Sequence, residues 1–318
     1  MTRVFVTRAL PEGPLEALAA EAGLKLEVSP HDRAATRDEL RSGLAEAEVL
    51  VSQLLDPIDA ELIASAPKLR LICNYAVGIN NVDLAAAAAR GIGVCNTPDV
   101  LTEASADLTW ALILSVTRRV LEGDRMTRAG EFAGWAPQLL LGTELYGKTL
   151  GIVGLGRIGR AVARRARGFG LQVCYTGRSE KPAQESEGAR YVGLEELLRS
   201  SDLVCLHCPL TPETRHLLDA ERLGWLKPSA YLINMARGPV VDEAALVAAL
   251  REGRLAGAGL DVYEREPQLE PGLAELDSVV LLPHLGSATR ETRLAMAQIV
   301  ADNLRDHLAG RPPRTRVE

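Results

Sequence analysis

One stretch limits what this chain can fold into more than any other: Gly151-Ile-Val-Gly154-Leu155-Gly156-Arg157-Ile158-Gly159. It closes an apolar run at 149–153 and opens a helical pattern that carries Val162, Ala163 and Ala166. Glycines spaced GxGxxG are a weak sign alone, because glycine is common in turns. Between a strand and an amphipathic helix they have a specific physical reading. Gly154 makes the tight turn, Gly156 lets the backbone approach a pyrophosphate, and Gly159 permits close packing of helix on strand. The pyrophosphate would sit at the helix start, where free N–H groups and the helix dipole favour an anion.

The rest of the chain supplies the context for that motif. Apolar runs at 4–7, 24–28, 49–52, 69–74 and 93–95 alternate with helical patterns at 15–22, 37–44, 60–65 and 84–90. Strands separated by helices of this length predict βαβ units and a parallel sheet. A long helical pattern then spans about 100–129, with Leu101, Leu108, Leu112 and Val116, and a looser segment follows at 130–147. Alternation restarts at 149 and continues through 171–176, 203–207, 230–234, 257–260 and 279–281. The restart predicts a second parallel sheet, and 289–309 reads as one closing helix. A length of 318 residues fits two domains or one large one, and the second sheet favours two.

The end of the next strand should choose between cofactors. A carboxylate there would hold the ribose hydroxyls of NAD(H). This chain instead has Cys174-Tyr-Thr-Gly177-Arg178-Ser179. Arg178 and Ser179 can receive a 2′-phosphate through charge-assisted hydrogen bonds, so NADP(H) is favoured over NAD(H). The stretch Cys205-Leu-His-Cys208 invites a zinc reading, but no second Cys/His pair with finger-like spacing follows, and no metal is assigned.

Three further polar residues stand at strand ends: Arg237 after 231–234, Glu266 after 260–262, and His284 after 280–283. In a parallel sheet the carboxyl ends of the strands converge on the ligand crevice. Arg, Glu and His delivered there make an anion anchor, a carboxylate that tunes an imidazole, and a general acid.

Composition removes other classes. A net charge of −6 with no long Lys/Arg run argues against nucleic acid as a partner. No apolar stretch approaches the ~20 residues needed to span a bilayer, and the first apolar run is too short for a signal peptide. Five cysteines, an odd number, suggest buried free thiols in a reducing compartment, so a cytoplasmic location is expected.

At these residues the chain resembles the D-isomer-specific 2-hydroxyacid dehydrogenases over nearly its whole length. The substrate loop of that family is similar to Asn74-Tyr-Ala-Val77-Gly78-Ile-Asn80-Asn81-Val-Asp83, and its cofactor loop to Gly154–Gly159. Its arginine motif resembles Asn234-Met-Ala-Arg237-Gly-Pro-Val-Val-Asp242-Glu243-Ala-Ala-Leu246. The glutamate motif resembles the run from Gly259 to Pro267, and the histidine motif Pro283-His284-Leu-Gly286-Ser287-Ala-Thr289. Within the family, the glyoxylate/hydroxypyruvate reductase branch is similar at 96–102, 142–147 and 175–181.

The resemblance implies an α/β protein with two doubly wound parallel-sheet domains. Residues 1–98 and 288–318 would form a discontinuous, flavodoxin-like substrate domain, and 99–287 a Rossmann dinucleotide-binding domain. It implies reduction of a short 2-oxo acid, with hydride from the nicotinamide, a proton from His284, support from Glu266 and anchoring by Arg237. Leu54, the Val77 and Gly78 N–H groups, Arg237, His284 and Trp135 would meet the substrate. Trp135 matches a tryptophan that in similar enzymes reaches the partner subunit's active site, in a homodimer built around 100–129. Cofactor contacts are further implied at Cys208, Pro209, Thr214, Met235, Ala236, Asp261 and Gly286. Other members, of phosphoglycerate or 4-phosphoerythronate type, and a catalytically silent dinucleotide sensor stay open as alternatives.

Overall fold

The computed structural model describes residues 1–317. The chain divides into two compact units, one formed by Met1–Leu101 with the stretch from Ser287 onward, the other by Thr102–Gly286.

The first unit begins with β1 (Arg3–Val6), α1 (Pro14–Ala22), β2 (Lys25–Val28), α2 (Arg37–Leu44) and β3 (Val49–Ser52). It continues with α3 (Ala60–Ser65), β4 (Leu71–Asn74), α4 (Leu84–Ala89) and β5 (Gly93–Cys95). Its sheet runs β2-β1-β3-β4-β5 with every neighbouring pair parallel, the flavodoxin-like order. All residues of β3 and β4 are buried, as expected for central strands covered on both faces. Side-chain caps start the helices: Thr36 Oγ1 accepts from Glu39 N–H while Glu39 accepts from Thr36 N–H. Asp59 and Asp83 cap α3 and α4 by accepting from Leu62 and Ala86 N–H.

The second unit opens with α5 (Thr102–Thr117) and α6 (Val120–Arg128). After these come β6 (Thr149–Val153), α7 (Arg157–Ala166), β7 (Gln172–Thr176), β8 (Arg190–Tyr191), α8 (Leu194–Ser200) and β9 (Leu203–Leu206). Then follow α9 (Ala220–Leu223), β10 (Tyr231–Asn234), α10 (Glu243–Arg251), β11 (Gly257–Leu260) and β12 (Val279–Leu281). The sheet order is β12-β11-β10-β9-β6-β7-β8, again all parallel. Strand order reverses between β6 and β9, the switch point at which a doubly wound sheet opens its ligand crevice. The chain then returns to the first unit as α11 (Arg290–Leu308), which packs against α1 and β4.

One sequence expectation changes. The single helix over 100–129 is two helices, broken at Arg119, whose φ of 52° lies in the left-handed region. The carbonyl of Thr117 accepts from Thr143 N–H, and the Arg119 guanidinium turns onto the Glu122 carboxylate. No glycine or proline marks this break, so periodicity alone ran through it. The two-residue strand β8 was likewise too short to leave a pattern.

Helix α5 is fastened to α7 at Trp110, which is buried, donates Nε1–H to the Val162 carbonyl and stacks on Phe169 at 4.3 Å. Trp110→Ala should cost about 3–5 kcal/mol in chemical denaturation, as for other large buried aromatics. A loss below about 1 kcal/mol would contradict this anchoring.

Candidate active site

The glycine motif lies at the switch point. Gly154 follows β6 with φ +97°, and a Cβ there would lie 2.7 Å from Cys208 N and 2.8 Å from the His207 carbonyl carbon. Only glycine allows the β6 and β9 loops to approach so closely. A Cβ on Gly159 would overlap the Gly154 carbonyl oxygen, which explains how α7 lies tight on its strand. At Gly156, which caps α7 without a side-chain bond, a Cβ would meet nothing within 4 Å. That open space before a ten-residue helix suits a pyrophosphate, so these residues fit a dinucleotide. Leu155 points its side chain into the core, leaving its backbone for the ligand.

Around this cradle the other expected cofactor residues take different states. Gly177, Arg178 and Ser179 are exposed just beyond β7, and Arg178 forms no ion pair among the described residues. Cys208 is buried, and burial pushes its thiol up to about 11. The Thr214 hydroxyl donates to the Pro209 carbonyl and accepts from Thr211 N–H, which closes that loop on itself. Burial holds the His207 imidazole down at about 4, and neither ring nitrogen has a partner among the described residues. Among the described residues no group of three or more His, Cys, Asp or Glu could hold a metal. All five cysteines are buried free thiols.

Three strand ends deliver the catalytic candidates. Beyond β10, Asn234 accepts from Ala236 N–H and donates to the Arg237 carbonyl, so its side chain shapes the turn through Met235 and Ala236. Arg237 donates to the Ala236 carbonyl at 2.7 Å. Burial lowers the Arg237 guanidinium from its ordinary value, and the Glu266 charge partly restores it. Beyond β11, Glu266 accepts from Tyr263 N–H through Oε1, and its Oε2 lies 3.0 Å from His284 Nδ1. Arg237, Glu266 and His284 thus form one electrostatic group.

Asp261, expected at the cofactor, uses both carboxylate oxygens within the protein. Oδ1 accepts from Leu285 N–H at 2.6 Å, and Oδ2 from Gly286 N–H at 2.8 Å. His284 immediately precedes them with φ 55°, a left-handed conformation that costs a non-glycine residue energy. Asp261 holds that conformation in place. The Gly286 carbonyl is tied as well, to the Ser105 hydroxyl of α5. Burial pushes the Asp261 carboxyl up, while the two N–H groups and the His284 charge pull it back.

Sequence reasoning missed Gly238 and Tyr263. A Cβ on Gly238 would overlap the Tyr263–Glu264 peptide, so the arginine loop rests directly on the glutamate loop. The Tyr263 hydroxyl donates to the Leu282 carbonyl, two residues before His284. The only trace in sequence was a glycine beside a charged residue.

In the first unit, the loop after β4 is held by amides. Asn74 donates to the Gly78 carbonyl and Asn96 to the Val77 carbonyl, each at 2.8 Å, so the orientation of both peptides is set. Leu54 is half-buried after β3. Trp135 is 85% exposed on a segment of the second unit without helix or strand.

A dinucleotide cradle at the same sheet end as an imidazole–carboxylate pair and a half-buried arginine defines a nicotinamide-dependent dehydrogenase. Residues 110–286 match the family described as D-isomer specific 2-hydroxyacid dehydrogenase, NAD binding domain. A glyoxylate reductase of Thermococcus kodakarensis is 50% identical, across 99% of this chain and 96% of that one. A solved protein of Thermus thermophilus is 49% identical with TM-score 0.94, covering 100% of both chains. An NADPH-dependent glyoxylate/hydroxypyruvate reductase of Sinorhizobium meliloti, solved with NADP and malonate, is 34% identical with TM-score 0.85, covering 99% of this chain and 96% of that one. The chain belongs to the D-isomer-specific 2-hydroxyacid dehydrogenases.

Asp261→Ala would leave two N–H groups without their acceptor and free the His284 backbone. We expect kcat to fall about a hundredfold, the usual cost of a displacement near 1 Å. Asp261→Asn, which keeps an acceptor oxygen, should fall less; equal losses in steady-state kinetics would contradict the loop-holding role.

Proposed function

We propose that this enzyme reduces short 2-oxo acids, glyoxylate or hydroxypyruvate, to the 2-hydroxy acids, with NADPH preferred over NADH. The observation that carries the reading is the Glu266–His284 pair beside Arg237, at the same sheet end as the Gly156 cradle. The names of the Thermococcus and Sinorhizobium relatives support the choice of substrate.

When bound, the nicotinamide supplies the hydride. His284 has Nδ1 against Glu266, which leaves Nε2 to give a proton to the substrate oxygen. The Glu266 carboxylate fixes the ring's orientation and takes the Nδ1 side of it. Arg237 is a planar, permanently charged fork suited to the substrate carboxylate and to polarising the carbonyl. The Val77 and Gly78 N–H groups are the proposed further donors to that carboxylate, and Leu54 the proposed wall for a small substituent. Trp135 is the proposed contribution to a partner subunit. A homodimer is supported by α6, which buries no residue, and by exposed Phe132, Trp135, Leu141 and Tyr146. A cytoplasmic site of action is supported by the five free thiols.

For the cofactor, the support is Arg178 and Ser179 at the tip of β7 with no carboxylate at that point. Arg178→Asp should reverse the preference, measured as the ratio of kcat/KM with NADPH to that with NADH. An unchanged ratio would remove the 2′-phosphate role. The purified protein with NADPH and a panel of 2-oxo acids, followed at the nicotinamide absorbance, should turn over glyoxylate or hydroxypyruvate. His284→Ala should lower kcat about 10²–10⁴-fold. Turnover of neither acid would overturn the reading, and a His284→Ala enzyme within a few-fold of wild type would remove its acid role.

A further inference from the structure

Glu243, the first residue of α10, is 2% exposed, although its side chain is charged by composition. Its Oε1 accepts from Glu264 N–H at 2.8 Å, and its Oε2 is buried with no partner among the described residues. That Glu264 N–H belongs to the same Tyr263–Glu264 peptide on which the Gly238 backbone rests. Tyr263 N–H is the donor to Glu266 Oε1, and the Tyr263 hydroxyl reaches the strand end before His284. On its outer side, Glu264 Oε1 lies 2.7 Å from His216 Nε2, and the His216 N–H donates to the Pro239 carbonyl. One peptide unit is therefore the junction of the arginine, glutamate and histidine loops, and Glu243 is the side chain that holds it from below.

We propose that Glu243 is a positioning residue for the reduction: by accepting from Glu264 N–H it sets the Tyr263–Glu266 turn, and through it the Glu266–His284 pair and the loop of Arg237. A surface glutamate would be a poor choice for this task, because it would prefer water. Here burial pushes the carboxyl up to about 7, helped by the nearby charges of Glu264 and Glu270 and opposed by the Glu264 N–H and by Arg265. The neutral form has a near copy in glutamine, whose amide oxygen can take the same N–H. Methionine has similar length and no such acceptor.

The inference rests on the reductase reading, and wild-type turnover serves as its separate control. In steady-state kinetics, Glu243→Met should lower kcat about tenfold or more. KM for the 2-oxo acid should stay within about twofold, with Glu243→Gln recovering most of the loss. A second measurement does not depend on turnover. The His284 ring resonances, followed by NMR at one fixed pH and assigned by their loss in His284→Asn, should move in Glu243→Met and return towards wild type in Glu243→Gln. Should Glu243→Met fail to fold, Glu243→Asp takes its place, because its shorter carboxylate cannot reach the Glu264 N–H. Equal losses in the Met and Gln enzymes, a loss carried by KM, or His284 ring resonances unmoved in Met or Asp would overturn the proposal.

Discussion

The site depends on one hydrogen bond, from His284 Nδ1 to Glu266 Oε2 at 3.0 Å. It fixes the imidazole through Nδ1 and leaves Nε2 as the nitrogen available for the proposed proton transfer. Almost every unusual feature nearby serves to keep those two loops in register. Asp261 holds the left-handed His284 backbone, Tyr263 ties the turn of Glu266 to the strand that ends at His284, and Gly238 lets the arginine loop lie against both. Strain at His284 persists because the surrounding bonds over-determine it.

The second constraint is charge. An acidic chain with a net charge of −6 belongs to a family whose cofactor is an anion. Net charge governs solubility and long-range attraction, whereas binding of a phosphate or carboxylate is decided within a few ångströms. The groups proposed to meet this requirement are local: the helix N-terminus at Gly156, the exposed Arg178, and Arg237, half-buried beside Glu266.

Much of this was legible in the sequence because it rests on local patterns. The GxGxxG run appears as a turn between strand and helix, each glycine with its own steric reason at Gly154, Gly156 or Gly159. The alternation of strands and helices foretold two parallel sheets, and both are present. What stayed hidden depends on contacts between distant segments. The break at Arg119 needs Thr143 to take the Thr117 carbonyl, 26 positions away in the chain (143 − 117). The use of both Asp261 oxygens on the His284 loop and the Gly238 contact with Tyr263–Glu264 are likewise invisible to periodicity. Such positions read in sequence as ordinary loop residues, and only packing shows what they hold.

The central claim, that Glu266 holds His284 Nδ1 so that Nε2 is left for the reacting oxygen, is tested most directly by kcat for glyoxylate reduction in wild type, Glu266→Gln and Glu266→Leu. With no acceptor for the ring N–H, kcat should fall about tenfold or more in Glu266→Leu. Glu266→Gln, whose amide oxygen can take the same N–H, should recover part of that loss. A Leu enzyme within a few-fold of wild type, or equal losses in the two variants, would contradict it.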